Sequence, residues 1–175
     1  SNSGRSWSRL GEVPLVEGTV EGSYHEPHVV QLPGGKLVGL IRVENCEGSR
    51  LEDLGLVSFS LVYTESVDGG HTWSRAEPMG FHGSPPHLLA HTSGALVGVY
   101  GRRLEPFGER VMISRDDGVS WDYDYALRDD GPDGDLGYPS SVELADGSIL
   151  TAYYQKPGSV TDKCAFLWSR WRLPE

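Results

Sequence analysis

The chain has no run of 18 apolar residues, and it does not open on a basic stretch followed by an apolar one. A helix needs about 20 such residues to cross a bilayer, so neither a membrane span nor a secretion signal is expected. Cysteine is scarce too. Cys46 and Cys164 are the only two, far apart and without metal-ligand spacing, and both are expected to be buried free thiols. They mark no redox environment, so the compartment stays open. Positive charge is short: 15 Lys and Arg stand against 25 Asp and Glu, a formal charge of −10. Nucleic acids and anionic membrane surfaces require a basic footprint, so neither is expected as a partner. Helical periodicity is missing as well, since no segment keeps a 3.6-residue apolar period for long.

Glycine is plentiful, at 23 residues in 175, and so is one short phrase. Asn2-Ser3-Gly4-Arg5-Ser6-Trp7, Asp68-Gly69-Gly70-His71-Thr72-Trp73 and Asp116-Asp117-Gly118-Val119-Ser120-Trp121 all fit Asp/Asn-x-Gly-x-Ser/Thr-Trp. The acid or amide can bond backbone N–H groups across a tight turn, and Gly4, Gly70 and Gly118 can supply positive φ. The hydroxyl closes the loop, and Trp7, Trp73 and Trp121 can pin it between sheets.

A second repeat lies between these turns. Pro27, Pro86 and Pro139 each precede a Gly by eight residues, at Gly35, Gly94 and Gly147. An apolar run follows each Gly, so every copy reads as a strand–turn–strand hairpin. A third strand enters each complete Trp turn, Val57 to Glu65 and Arg110 to Ser114, and a short outer strand should leave it. Four-stranded units of this length repeated about an axis describe an all-β propeller; a β-sandwich is the alternative. The expected division is residues 1–23 as the tail of a preceding blade, with its Trp turn and outer strand, then blades at 24–81 and 82–134. A last blade at 135–175 lacks its outer strand.

Three blades do not close a ring, since propellers usually have at least about four. Two arrangements resolve this: the chain is half of a longer protein, or two copies meet to give six blades. The expectation is a homodimer in which the strand near Trp7 to Val16 completes the partner's last blade, sparing that sheet an unpaired edge.

The Trp turns resemble the Asp boxes of the sialidase superfamily, and the blade openings resemble that family's last three blades. The segment from Glu26-Pro27-His28 to Arg42 is similar to the blade supplying a Glu and an arginine, and Gly137-Tyr138-Pro139-Ser140-Ser141-Val142 to the blade opening on a nucleophilic tyrosine. The resemblance implies a sialidase-type half-propeller with Tyr138 as nucleophile and Glu26 as its base. A sialic acid carries a carboxylate on its anomeric carbon, so a neutral phenol approaches where an anion would be repelled. A phenol near pKa 10 then needs a positioned base. Arg42 and Arg110 match two members of the arginine triad that grips the substrate carboxylate through bidentate bonds. Arg102 and Arg103, at the preceding strand end, are the alternatives to Arg110, and His25 and His87 are further candidates for contact with substrate. The family's first blade, bearing another arginine and the acid that protonates the leaving group, has no counterpart here.

His25, His28, His82 and His87 fall at blade openings without convincing ligand spacing, and the acidic loop from Asp129 to Asp135 has Ser140 where an EF-hand needs Glu. No metal and no cofactor is expected. The readings are therefore a sialidase-like glycoside hydrolase acting on a sialoside or other anionic glycan, a propeller that binds such ligands without turnover, and a self-assembling half-propeller.

Overall fold

The computed structural model describes residues 4–174, which form three antiparallel sheets. The first holds β1 (Tyr24–Gln31), β2 (Leu37–Val43), β3 (Ser60–Ser66) and β4 (Glu77–His82), in that spatial order. The second repeats the pattern with β5 (Pro86–Ala90), β6 (Leu96–Arg102), β7 (Gly108–Ser114) and β8 (Asp122–Arg128). The third has three strands, β9 (Gly137–Glu143), β10 (Ile149–Gln155) and β11 (Ala165–Trp171). This is half of a six-bladed propeller of the sialidase type, with its last blade short of an outer strand. The innermost strands β1, β5 and β9 touch in sequence around the axis.

The blades cohere because consecutive faces are apolar. Val38, Leu40 and Leu61 of the first blade pack on Leu88, Leu96 and Met112 of the second. On the second blade's other face, Val97, Val99, Val111 and Ile113 meet Ile149 of the third, with Trp171 and Leu173 at the margin. Gly98 is required at the first of these interfaces, because a Cβ there would come within 2.5 Å of the Met112 side chain.

The two complete Trp turns close through the same hydrogen bonds. Asp68 Oδ1 accepts from the Thr72 N–H at 2.9 Å and Oδ2 from the Thr72 hydroxyl at 2.7 Å, while the Trp73 indole donates to the Gly70 carbonyl at 3.1 Å. Asp116, Ser120, Trp121 and Gly118 reproduce this with 2.9, 2.5 and 3.1 Å. Gly70 and Gly118 have φ of 93° and 89°, the left-handed conformation the turn demands. A serine two residues before each Asp adds a bond the phrase did not include: Ser66 and Ser114 hydroxyls donate to Asp68 and Asp116 and accept the Gly70 and Gly118 N–H groups.

The start of the chain differs from expectation. Asn2 lies outside the described residues. Trp7 is 91% exposed, so it pins nothing between sheets, because no neighbouring sheet of the described residues reaches it. No strand forms between residues 4 and 23. This segment lies on its own first blade: the Pro14 carbonyl accepts the Ala76 N–H at 2.8 Å, and Arg75 donates to the Leu15 carbonyl at 2.9 Å. Val13 and Val16 cover Ile41, Val43, Leu51 and Val62 on that blade's outward face. The cysteines also depart from expectation, with Cys46 half-buried and Cys164 exposed. The acidic loop is tied down by cations and a phenol: Lys156 reaches Asp133 at 2.6 Å, Tyr154 donates to Asp135 at 2.9 Å, and Arg128 pairs with Asp130.

Hydrogen bonds to the Asp116 carboxylate, foremost from the Ser120 hydroxyl, lower its pKa to about 2. A group depressed on folding contributes stability above its unfolded value, near 4, and loses that contribution as pH falls through its folded one. Asp116→Ala and Asp68→Ala are therefore expected to lower the melting temperature by several degrees at pH 7. Both should also flatten the loss of stability between about pH 4 and pH 2, as followed by thermal melts across that range.

Candidate functional site

The antiparallel register places every candidate residue at one end of the sheets. His25 pairs with Arg42 and Arg42 with Leu61 across the first blade, and Arg102 pairs with Gly108 across the second. The starts of β1, β3, β5, β7 and β9 and the ends of β2 and β6 thus converge there, while both complete Trp turns lie at the opposite end.

Two bulges aim the central pair. Between His25 and His28 the β1 register slips against β2, and between Ala152 and Tyr154 the β10 register slips against β9, opposite Tyr138 and Pro139. Glu26 and Tyr138 sit in these irregularities with φ of 48° and 53°. Left-handed backbone at a residue with a Cβ costs about 1–3 kcal/mol and persists where surrounding structure imposes it, often at functional sites. A bulge also turns a side chain away from the regular pleat. Here both turn towards each other, and the Tyr138 hydroxyl donates to Glu26 Oε1, joining the first blade to the third across 112 residues of sequence.

Arg42 extends this pair. Its Nη1 donates to Glu26 Oε2 at 3.0 Å and its Nη2 to Glu44, so a buried guanidinium is held between two carboxylates. Phe59, itself at φ 53°, lies with its ring centre 5.0 Å from the Arg42 Cζ. His25 joins the group through Glu44, at 3.5 Å. The hydrogen bond to Glu26 and partial burial raise the Tyr138 pKa, and the positive charges of Arg42 and Arg103 offset part of that rise. The phenol is therefore protonated at neutral pH, half exposed, with a carboxylate poised on its proton.

The remaining candidates do not join this group. Arg110 is buried, donating to the Arg128 and Pro106 carbonyls at 2.6 and 3.3 Å and pairing with Asp124 at 3.3 Å. Arg102 reaches the same Asp124 at 3.4 Å. Neither touches Tyr138 or Glu26, because both are engaged by their own blade. Arg103 is the arginine that approaches, its Cζ 5.9 Å from the centre of the Tyr138 ring while it donates to the Ser84 and Gly134 carbonyls. His87 packs against His28 at 4.1 Å between ring centres with the rings tilted by 45°, and His28 Nδ1 accepts the Leu88 N–H at 3.1 Å. Burial, with the neighbouring His28 second, lowers the His87 pKa to about 4, so it is neutral at pH 7. Among the described residues no group of three His, Cys, Asp or Glu side chains is placed to hold a metal ion.

Three residues escaped sequence reasoning. Glu44 and Phe59 sit just outside strands in a loop of no repeating pattern. Glu109 is fully buried with neither carboxylate oxygen hydrogen-bonded. Its place beside Arg110 was the one available signal, since a strand alternates faces and a charged pair at successive positions must bury one member on the blade interface.

A scan against models of known protein families finds no match, and neither does a search of curated proteins. Solved structures do match. A protein of unknown function from Dyadobacter fermentans is 28% identical with a TM-score of 0.71, over 86% of this chain and 38% of that one. The α-L-arabinofuranosidase Arb93A of Fusarium graminearum matches at 15% identity and TM-score 0.67, over 96% of this chain and 50% of its own. The Hadza microbial sialidase Hz136 matches at 15% and 0.67, over 97% and 36%. The chain thus has the propeller fold of these glycoside hydrolases and spans half or less of their length.

Burial raises the Glu109 pKa to about 8, against the opposing charges of Arg103 and Arg110. The folded protein keeps a proton that the unfolded chain releases near pH 4.3, so wild type loses stability as pH rises from there to about 8. Glu109→Gln removes that slope. Its melting temperature is expected to gain on wild type steadily across this range; a difference that is constant or shrinks with pH excludes the assignment.

Proposed function

We propose that this chain forms the catalytic half of a sialidase-like glycoside hydrolase site, with Tyr138 as nucleophile and Glu26 as its base. The observation that carries the reading is the hydrogen bond from the Tyr138 hydroxyl to Glu26, made by two residues on strained bulges of different blades. In the reaction the phenol oxygen attacks the anomeric carbon, the bond to the leaving oxygen breaks, and the phenolic proton passes to Glu26. Water then attacks the anomeric carbon and breaks the glycosyl–tyrosine bond, giving its proton to the conjugate base of the acid that protonated the leaving group, and Glu26 returns its proton to the tyrosine. Arg42 fixes Glu26 from the far side and supplies positive charge, and Arg103 adds a second cation beside the ring. The Arg42 charge is balanced by Glu26 and Glu44, so Arg103, bonded to backbone carbonyls, is the cation that favours a ligand with a carboxylate next to its anomeric carbon, which is the argument for a sialoside.

The acid that would protonate the leaving group is not among the residues assembled here. We assign its role to Glu26 of the partner subunit, which a six-bladed ring made with a second copy of the chain sets across the axis. The third blade supports this with an open β11 edge and an outward face on which Phe166 and Trp168 are 77% and 64% exposed. Without that acid the same arrangement binds the glycan and does not turn it over, which is the second reading.

Sedimentation and a fluorogenic sialoside test both parts. The full chain is expected at twice 19.2 kDa, with measurable turnover that Tyr138→Phe lowers by roughly 10²–10⁴-fold at unchanged mass. Turnover indifferent to Tyr138→Phe eliminates the nucleophile assignment. A mass of one chain eliminates the dimer.

A further inference from the structure

The outer rim between the first two blades carries a groove of about 460 Å³ that the site above does not use. It runs along β4 and the turn entering β8, from the Trp-turn end of the sheets to Phe81. Four aromatic side chains line it: Tyr63, Phe81, Trp121 and Tyr123. Phe81 and Tyr123 stack at 5.1 Å with only 15° between their planes, and Phe81 leans in turn on Tyr100 at 5.1 Å. Tyr63, Phe81 and Trp121 are anchored against the blade interface, whereas Tyr123 is 57% exposed. The polar ends of the anchored rings are occupied internally. The Trp121 indole N–H is held by the Gly118 carbonyl at 3.1 Å, and the Tyr63 hydroxyl donates to Glu65 at 2.6 Å. These two rings therefore offer the groove apolar surface.

The charged side chains lining the groove are both carboxylates, Glu65 and Glu77. Lys36 pairs with Glu65 at 2.5 Å, so the net charge of the lining is that of Glu77. A flat aromatic shelf bordered by carboxylate acceptors suits a ligand with an apolar face and hydroxyl donors at its edge, which describes a neutral sugar ring. Carboxylates with no free cation repel anionic glycans. A quaternary ammonium is favoured by rings set around a point, as in an aromatic cage, and two rings nearly parallel at 5.1 Å make a wall instead. The volume is within the range of ordinary small-molecule sites.

We propose that this rim groove is a second, non-catalytic binding site for neutral glycan chains, with Tyr123 as its exposed stacking platform. It stands apart from the Tyr138 site in place and in charge preference, and it does not depend on that site's activity.

Affinity electrophoresis of the full chain through gels containing linear arabinan, xylan or mixed-linkage β-glucan tests it. Retardation by at least one polymer is expected. Tyr123→Ala should weaken it about tenfold without shifting the melting temperature, because the side chain is more than half exposed. Tyr123→Phe should restore most of the binding, and Tyr138→Phe should leave it unchanged. Tetramethylammonium and 3′-sialyllactose, added as competitors, should not relieve the retardation. No retardation by any of the three polymers overturns the proposal, as does equal retardation of Tyr123→Ala, loss of binding in Tyr138→Phe, or competition by either charged probe.

Discussion

A four-stranded antiparallel sheet has two faces and can cover neither alone, and this constraint governs the molecule. The first blade lends one face to the second, the second lends its other face to the third, and the two outermost faces meet different fates. The first blade's outward face is partly roofed by Val13 and Val16 from the irregular segment before β1 and by Leu51 and Leu56 from the loop after β2. The third blade's outward face has no comparable cover among the described residues, and Phe166 and Trp168 stand open to solvent. The inner strands meet at the axis because the faces pack in this way. The candidate site exists because those inner strands all begin at the same end.

Much of the fold was legible because it rests on local chemistry. Asp68 and Asp116 bond atoms within four residues of themselves, so a short phrase suffices to describe the turn, and the spacing of Pro27, Pro86 and Pro139 to their glycines marks the hairpins directly. The beginning of the chain was not legible in the same way. Its phrase is intact in sequence, yet a Trp turn needs a sheet on which to lay its indole, and among the described residues Trp7 has none. The outer strand expected over residues 7–16 needs a free edge, and the segment makes scattered bonds to Tyr24, Arg75 and Ala76 in place of a strand ladder.

The site shows a similar divide. Resemblance named Tyr138, Glu26 and Arg42 as one group, and the geometry joins them by hydrogen bonds. It did not distinguish among the arginines of the second blade. Arg102, Arg103 and Arg110 stand within one hairpin, and their roles depend on which carbonyls and carboxylates lie in reach after folding. Asp124 holds Arg102 and Arg110, leaving Arg103 to lean on the Tyr138 ring. The bulges that aim Glu26 and Tyr138 were equally hidden, since a bulge is a relation between two strands and neither strand alone declares it.

The bond between Tyr138 and Glu26 links the first blade to the third, and the second blade stands between them as a wedge. Its length is therefore set by the thickness of that wedge at the axis, where His28 packs at a tilt against His87 and bonds the Leu88 backbone. A change of packing along β5 alters the angle between the outer two blades and separates phenol from carboxylate without touching either. The pair acts as a gauge of curvature, because its closure reports the pitch that the three sheets share.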